Sequence, residues 1–145
     1  MTHSASPTFH RNKVVVAWLA SLLGLFSVHW WYLGRRNAWF MTTFAVVMLV
    51  LAHFYPVWWD SPPFLVLLLP VSAGMIEALF FALMADEKFD ARYNPDSDIR
   101  TQTGWDAVIV AIVTTFLAGT VILFGIAMVV IHVYTAMGWL DGYNF

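Results

Sequence analysis

Long apolar runs separated by short polar breaks dominate the pattern of this chain. Four runs stand out, over residues 14–33, 38–58, 64–85 and 105–136. In hydrocarbon every backbone N–H and C=O needs an internal partner, so an apolar stretch of about 20 residues must be helical. The pattern predicts an all-α membrane protein with four transmembrane helices. Gly34-Arg35-Arg36-Asn37 leaves room only for a tight turn, which makes the first two helices a hairpin. Pro56 and Asp60-Ser61-Pro62-Pro63 end the second helix and start the third, and a polar segment with an Asn94-Pro95-Asp96 turn precedes the last. The predicted organisation is a polar N-terminal tail (1–12), a hairpin domain (13–59), a third helix (60–85), a polar loop (86–104), a fourth helix (105–137) and a C-terminal tail (138–145). The first run is too long for the core of a cleaved signal peptide and is expected to stay as a membrane helix. The last exceeds one bilayer thickness and is expected to tilt or project.

Aromatic residues mark the same boundaries. Trp30, Trp31, Tyr32 and Trp39 flank the first turn, Tyr55, Trp58 and Trp59 the second, and Trp105, Tyr134 and Trp139 the ends of the last run. Amphipathic rings prefer the headgroup zone. With four crossings, the first and third connections share one side and carry Arg35, Arg36, Lys88, Arg92 and Arg100, against Arg11 and Lys13 on the other. The positive-inside rule then predicts that both termini lie outside the cytoplasm.

Composition agrees with a lipid-solvated surface. Charged residues are 11% of the chain, against about 25% in soluble domains. The lipid bilayer is therefore the first expected partner. A net charge of -2 carries no nucleic-acid signal, and the lack of cysteine excludes disulfides and thiolate metal sites. Small residues mark where helices approach closely in lipid. They fall at Ala17, Ala20, Ser21, Gly24 and Ser27 in the first run, at Gly74, Ala78 and Ala82 in the third, and at Ala107, Ala111, Thr115 and Gly119 in the fourth. Such faces can pack within the chain, in a homo-oligomer or in a larger membrane complex. Pro70 is expected to kink the third helix.

The segment from Asn12 to about Leu51 contains Lys13, then Trp18-Leu19-Ala20-Ser21-Leu22-Leu23-Gly24, then His29-Trp30-Trp31-Tyr32-Leu33-Gly34. It resembles the two-transmembrane-helix domain family, whose pattern is a Gly-containing apolar helix followed by Asp or His, Arg, Phe, Tyr, Leu, Gly. Gly24, His29, Tyr32 and Gly34 are the motif positions kept here, while Trp30 stands where the family usually has Arg and Trp31 where it usually has Phe. The stretch 86–95, Asp-Glu-Lys-Phe-Asp-Ala-Arg-Tyr-Asn-Pro, is similar to an extension in bacterial members. The resemblance covers somewhat over a third of the chain. It implies a bacterial inner-membrane protein with the hairpin turn on the cytoplasmic side, and it implies no catalytic activity or substrate.

Among residues that carry chemistry, Glu77 is the only Asp, Glu, Lys or Arg well inside an apolar run. A carboxylate at depth costs at least a few kcal/mol unless paired, hydrated or protonated. It reads either as a proton or cation site or as a hydrogen-bonded tie between helices. His29 is its expected partner, with Asn37, Thr42 and Thr43 available to hydrate the pair; His29 also reads as a residue capping the hairpin. His53 and His132 form a weaker candidate haem or metal pair, with Asp60, Asp141 and His10 as possible neighbours, but no local ligand spacing supports it. The run Asn94, Asp96, Asp98 fails as a calcium loop, because Ile99 and Trp105 stand where a Gly and a bidentate Glu are needed. No nucleophile–base motif or phosphate-binding loop is present, so no enzyme activity, cofactor or small-molecule substrate is expected. Three functions remain open: an interaction or scaffold protein, an oligomeric proton or ion conduit centred on Glu77, and a haem or metal protein using His53 and His132.

Overall fold

The computed structural model describes residues 9–142, which form helices and no strand. The outer parts of the expected tails, 1–8 and 143–145, lie outside the described residues. Two helical segments are long and apolar enough to cross a membrane, Pro62–Leu83 with 22 residues and Trp105–Ala136 with 32. Lys13–Phe26 and Ala38–His53 are apolar but shorter.

The first apolar run is not one straight helix. Helix α1 (Lys13–Leu23) starts at Asn12, whose side chain accepts from the N–H groups of Val14 and Val15. It gives way to a 3₁₀ turn at Gly24–Phe26, and Ser27 follows in the left-handed region at φ 53°. The chain then reverses into α2 (Val28–Tyr32). The backbone N–H of Asn12 donates to the Tyr32 hydroxyl at 3.0 Å, and Leu33 packs in one cluster with Val16 and Ala17. A continuous helix over these 20 residues would hold its ends roughly 30 Å apart. The single crossing expected over 14–33 is therefore replaced by a descent and a return. The break lies beneath protein: Gly24 and Ser27 are buried, and the freed carbonyl of Phe26 accepts from the Thr42 hydroxyl at 2.7 Å. Irregular backbone at membrane depth is tolerated only under such cover.

Helix α2 ends on Gly34 at φ 71°. The Arg35 N–H bonds the Trp30 carbonyl and the Gly34 N–H bonds that of Trp31, a left-handed helix stop that favours glycine. Helix α3 (Ala38–His53) runs past the turn to the opposite end. There a 3₁₀ turn (Trp58–Asp60) leads to α4 (Pro62–Val66), capped by the Ser61 hydroxyl. Leu67 separates α4 from α5 (Leu68–Leu83). Pro70 cannot donate to the Val66 carbonyl, which places the expected kink there. Met84 and Ala85 are extended and lead into α6 (Asp86–Tyr93), and α7 (Trp105–Ala136) runs back along α5. Its far part meets the α3–α4 connection, where His132 Nδ1 lies 3.1 Å from Asp60.

The closest packing joins α1 to α5. A Cβ added at Gly24 would sit 2.8 Å from the Gly74 Cα, and one at Gly74 would sit 2.6 Å from the Gly24 Cα. Both small-residue faces expected on α1 and α5 are buried here. On α7 the buried stripe is Ala107, Val110, Thr114, Ala118 and Gly125 instead, with Thr114 donating to Ser21 at 2.9 Å. Thr115 and Gly119, expected on the packed face, are exposed. Phe89 of α6 plugs the end of the bundle, fully buried against Phe81 and Tyr93. Its burial is worth roughly 1.5–3 kcal/mol. Large apolar side chains such as Leu69, Leu83, Phe116 and Leu123 are more than two-thirds exposed, an apolar surface of the kind that marks a membrane or protein interface.

Gly24→Ala should lower stability in detergent by about 1–3 kcal/mol, because the new methyl meets backbone that cannot swing aside. Gly119→Ala, with nothing within 4 Å of its Cβ, should not. Thermal unfolding of the two variants checks the difference.

Candidate functional site

The return of α2 brings its polar residues onto α5. His29 Nε2 lies 2.8 Å from Glu77 Oε2, and the Trp30 indole N–H donates to the same oxygen at 2.8 Å. The Arg35 guanidinium stands 3.6 Å from this oxygen and 5.0 Å above the Trp30 ring. The stop at Gly34 aims Arg35 back over α2, and its other nitrogen reaches the Tyr93 hydroxyl. His29 is 1% exposed, its ring edge-on to Phe81, and its Nδ1 is buried with no hydrogen-bond partner.

His29 and Glu77, expected as partners, are thus brought together. Thr42 does not hydrate them; its hydroxyl serves the Phe26 carbonyl and accepts from the Trp31 indole. Tyr32 anchors Asn12, and Gly24 and Gly34 set the close crossing and the helix stop. Sequence reasoning missed Trp30 as a donor to Glu77 and Arg35 as its ion-pair partner. The available signal was Arg35 itself, a cation just beyond a left-handed helix stop.

A second polar cluster closes the same end. Lys13, 2% exposed, reaches Asp86 at 2.6 Å and the Met84 carbonyl at 2.7 Å. Thr103 donates its N–H and hydroxyl to Asp86. Asp90, 3% exposed, accepts from Asn94 and from the N–H and hydroxyl of Thr101. Asn94 pairs with both backbone groups of Arg11, and His10 reaches Ser97 and Thr101. Asp86, Asp90 and Asn94 recur every four residues, so one face of α6 is stitched to the segment before α1. Burial pushes both carboxyls up, but Lys13 and Thr103 at Asp86, and Asn94, Thr101 and His10 at Asp90, outweigh it and hold both below the usual carboxylate range.

Of the weaker histidine pair, His132 bonds Asp60, whereas His53 is exposed beside the Phe54 ring. His10 belongs to the other end. Among the described residues no three His, Asp or Glu side chains gather as metal ligands.

The lowered carboxyls at Asp86 and Asp90 contribute stability above the unfolded-state value that is lost as pH falls through the folded one. Asp90→Asn should therefore be less stable than the parent at pH 7, and the gap should close below about pH 4. Melting curves of both proteins across pH 3–7 check this.

No protein-family model matches this chain, and no curated protein or solved structure matches it either.

Proposed function

We propose that this chain is a multi-pass membrane protein of interaction or scaffold character, with no enzymatic activity, built on the two-transmembrane-helix hairpin pattern. α3, α4–α5 and α7 make three full crossings, and α1–α2 enters and returns as a re-entrant hairpin. All seven Lys and Arg lie in the segment before α1, at its start, in the 34–37 turn or in the 86–104 segment, which meet at one end. The positive-inside rule makes this end cytoplasmic, in a bacterial inner membrane on the family resemblance. The orientation expected for four crossings then changes: residue 9 lies inside and the end of α7 outside.

The observation that carries the scaffold reading is a set of engaged interior charges beside a bare exterior. Glu77, Lys13, Asp86 and Asp90 are each engaged by other side chains, which favours Glu77 as a tie over Glu77 as a conduit. Meanwhile α7 buries only one stripe and presents Thr115 and Gly119 outward. That face suits another helix, in a second copy or in a larger complex.

The cysteine-free sequence permits a direct topology test. In intact cells an impermeant maleimide should label Asp141→Cys, and should label Phe9→Cys and Asp98→Cys only after permeabilisation. Labelling of Phe9→Cys and Asp141→Cys from one side would overturn the three-crossing arrangement. Native mass spectrometry in mild detergent should show a defined oligomer or a constant partner. A strictly monomeric, partner-free particle is the result that ends the scaffold reading.

A further inference from the structure

The outward face of α5 at the charged end carries a groove of about 700 Å³ lined by Ile76, Leu79, Phe80, Leu83, Met84 and, at its mouth, Lys88. Ile76, Phe80 and Leu83 are all exposed, and the groove follows roughly 10 Å of helix. Its lower part is apolar and its upper rim is basic. We propose that it holds an anionic diacyl phospholipid, with an acyl chain along α5 and the headgroup at Lys88 and Arg92.

Charge placement on α6 argues for this occupant. In sequence, Lys88 and Arg92 alternate with acids and form no basic cluster. The fold separates them. Asp86 and Asp90 turn inward, where Lys13, Thr101, Thr103 and Asn94 engage them. Glu87 lines a polar cavity with Asp90 and Arg100 on another side of the helix. Lys88 and Arg92, four residues apart, share the remaining face and are exposed. Among the described residues the Lys88 ammonium has no hydrogen bond or ion pair, and Arg92 stands over the Tyr93 ring, 5.6 Å from its centre. Lys88 thus edges the apolar trough, and Arg92 lies one helical turn farther along the same face of α6. A basic residue near an anionic membrane surface contributes about 1 kcal/mol, a factor of roughly five, so two of them make a real preference.

The inference rests on the membrane reading above, and one experiment separates the two. The protein is first floated with vesicles of phosphatidylglycerol and phosphatidylcholine in equal amounts. A chain that stays in the aqueous fraction overturns the membrane reading and the lipid site together. From the floated protein, extracted in mild detergent, native mass spectrometry should find one retained phosphatidylglycerol per chain in preference to phosphatidylcholine. The double variant Lys88→Gln/Arg92→Gln should lose this preference by roughly an order of magnitude. Arg36→Gln, which changes a base at the same end outside the groove, should keep it. Equal retention of both lipids by the parent protein, an unchanged ratio in the double variant, or an equal loss in Arg36→Gln overturns the lipid site while leaving membrane insertion intact.

Discussion

Backbone that leaves the helix at depth must be covered, and most of this structure answers that constraint. The helix breaks at Gly24–Ser27, where the freed backbone groups are buried and need internal partners. Three contacts make the break tolerable. Gly24 and Gly74 let α1 and α5 touch backbone to backbone, so the turn is buried. Thr42 of α3 supplies the donor that the Phe26 carbonyl lost. Glu77 of α5 gathers the polar edges of α2, so the returning strand of the hairpin is held as well as the descending one. None of these residues is near its partner in sequence. The contacts that cover the hairpin therefore come from α3 and α5.

The same economy governs charge. Asp86 and Asp90 are costly to bury, and they close the end of the bundle only because Lys13 and the two threonines meet them. Removing Lys13 would leave a carboxylate without its counter-ion, and removing Asp86 would strand a buried ammonium. By binding the segment before α1 to the polar segment after α5, these pairs bring Arg11 and Lys13 to the end that already holds the other five bases. A charge distribution that is only moderately biased when four straight crossings are assumed becomes one-sided once the first run turns back.

The extent of α7 was legible because it is a long apolar run bounded by polar residues, whereas α3 stops at His53, five residues short of the expected end, and the third run divides at Leu67. The contact between His29 and Glu77 was legible too, from their common distance to one boundary. The reversal at Ser27 was not. Residues 14–33 are as apolar as a true crossing, and hydropathy does not distinguish a helix that continues from one that turns under cover. The cue was a small-residue face on α1 whose glycine meets Gly74 of α5, a contact invisible until both helices are placed. The buried face of α7 was misread for a similar reason. Ala111, Thr115 and Gly119 are small enough to pack, but the stripe that meets α5 and α1 lies one position away, through Val110, Thr114 and Ala118.

Trp30 shows how the cluster at Glu77 is balanced. Its indole N–H makes a neutral hydrogen bond to the carboxylate, and the charge comes from Arg35, five residues later, lying over the indole ring. The arrangement combines a neutral hydrogen bond with a more exposed ion pair stacked above it. A guanidinium is weakly hydrated and stacks well on an aromatic face, so it serves both the ring and the carboxylate. His29 completes the set from the buried side, its ring edge-on to Phe81. Two hydrogen bonds and one ion pair on a single oxygen suit a group that holds α2 in place.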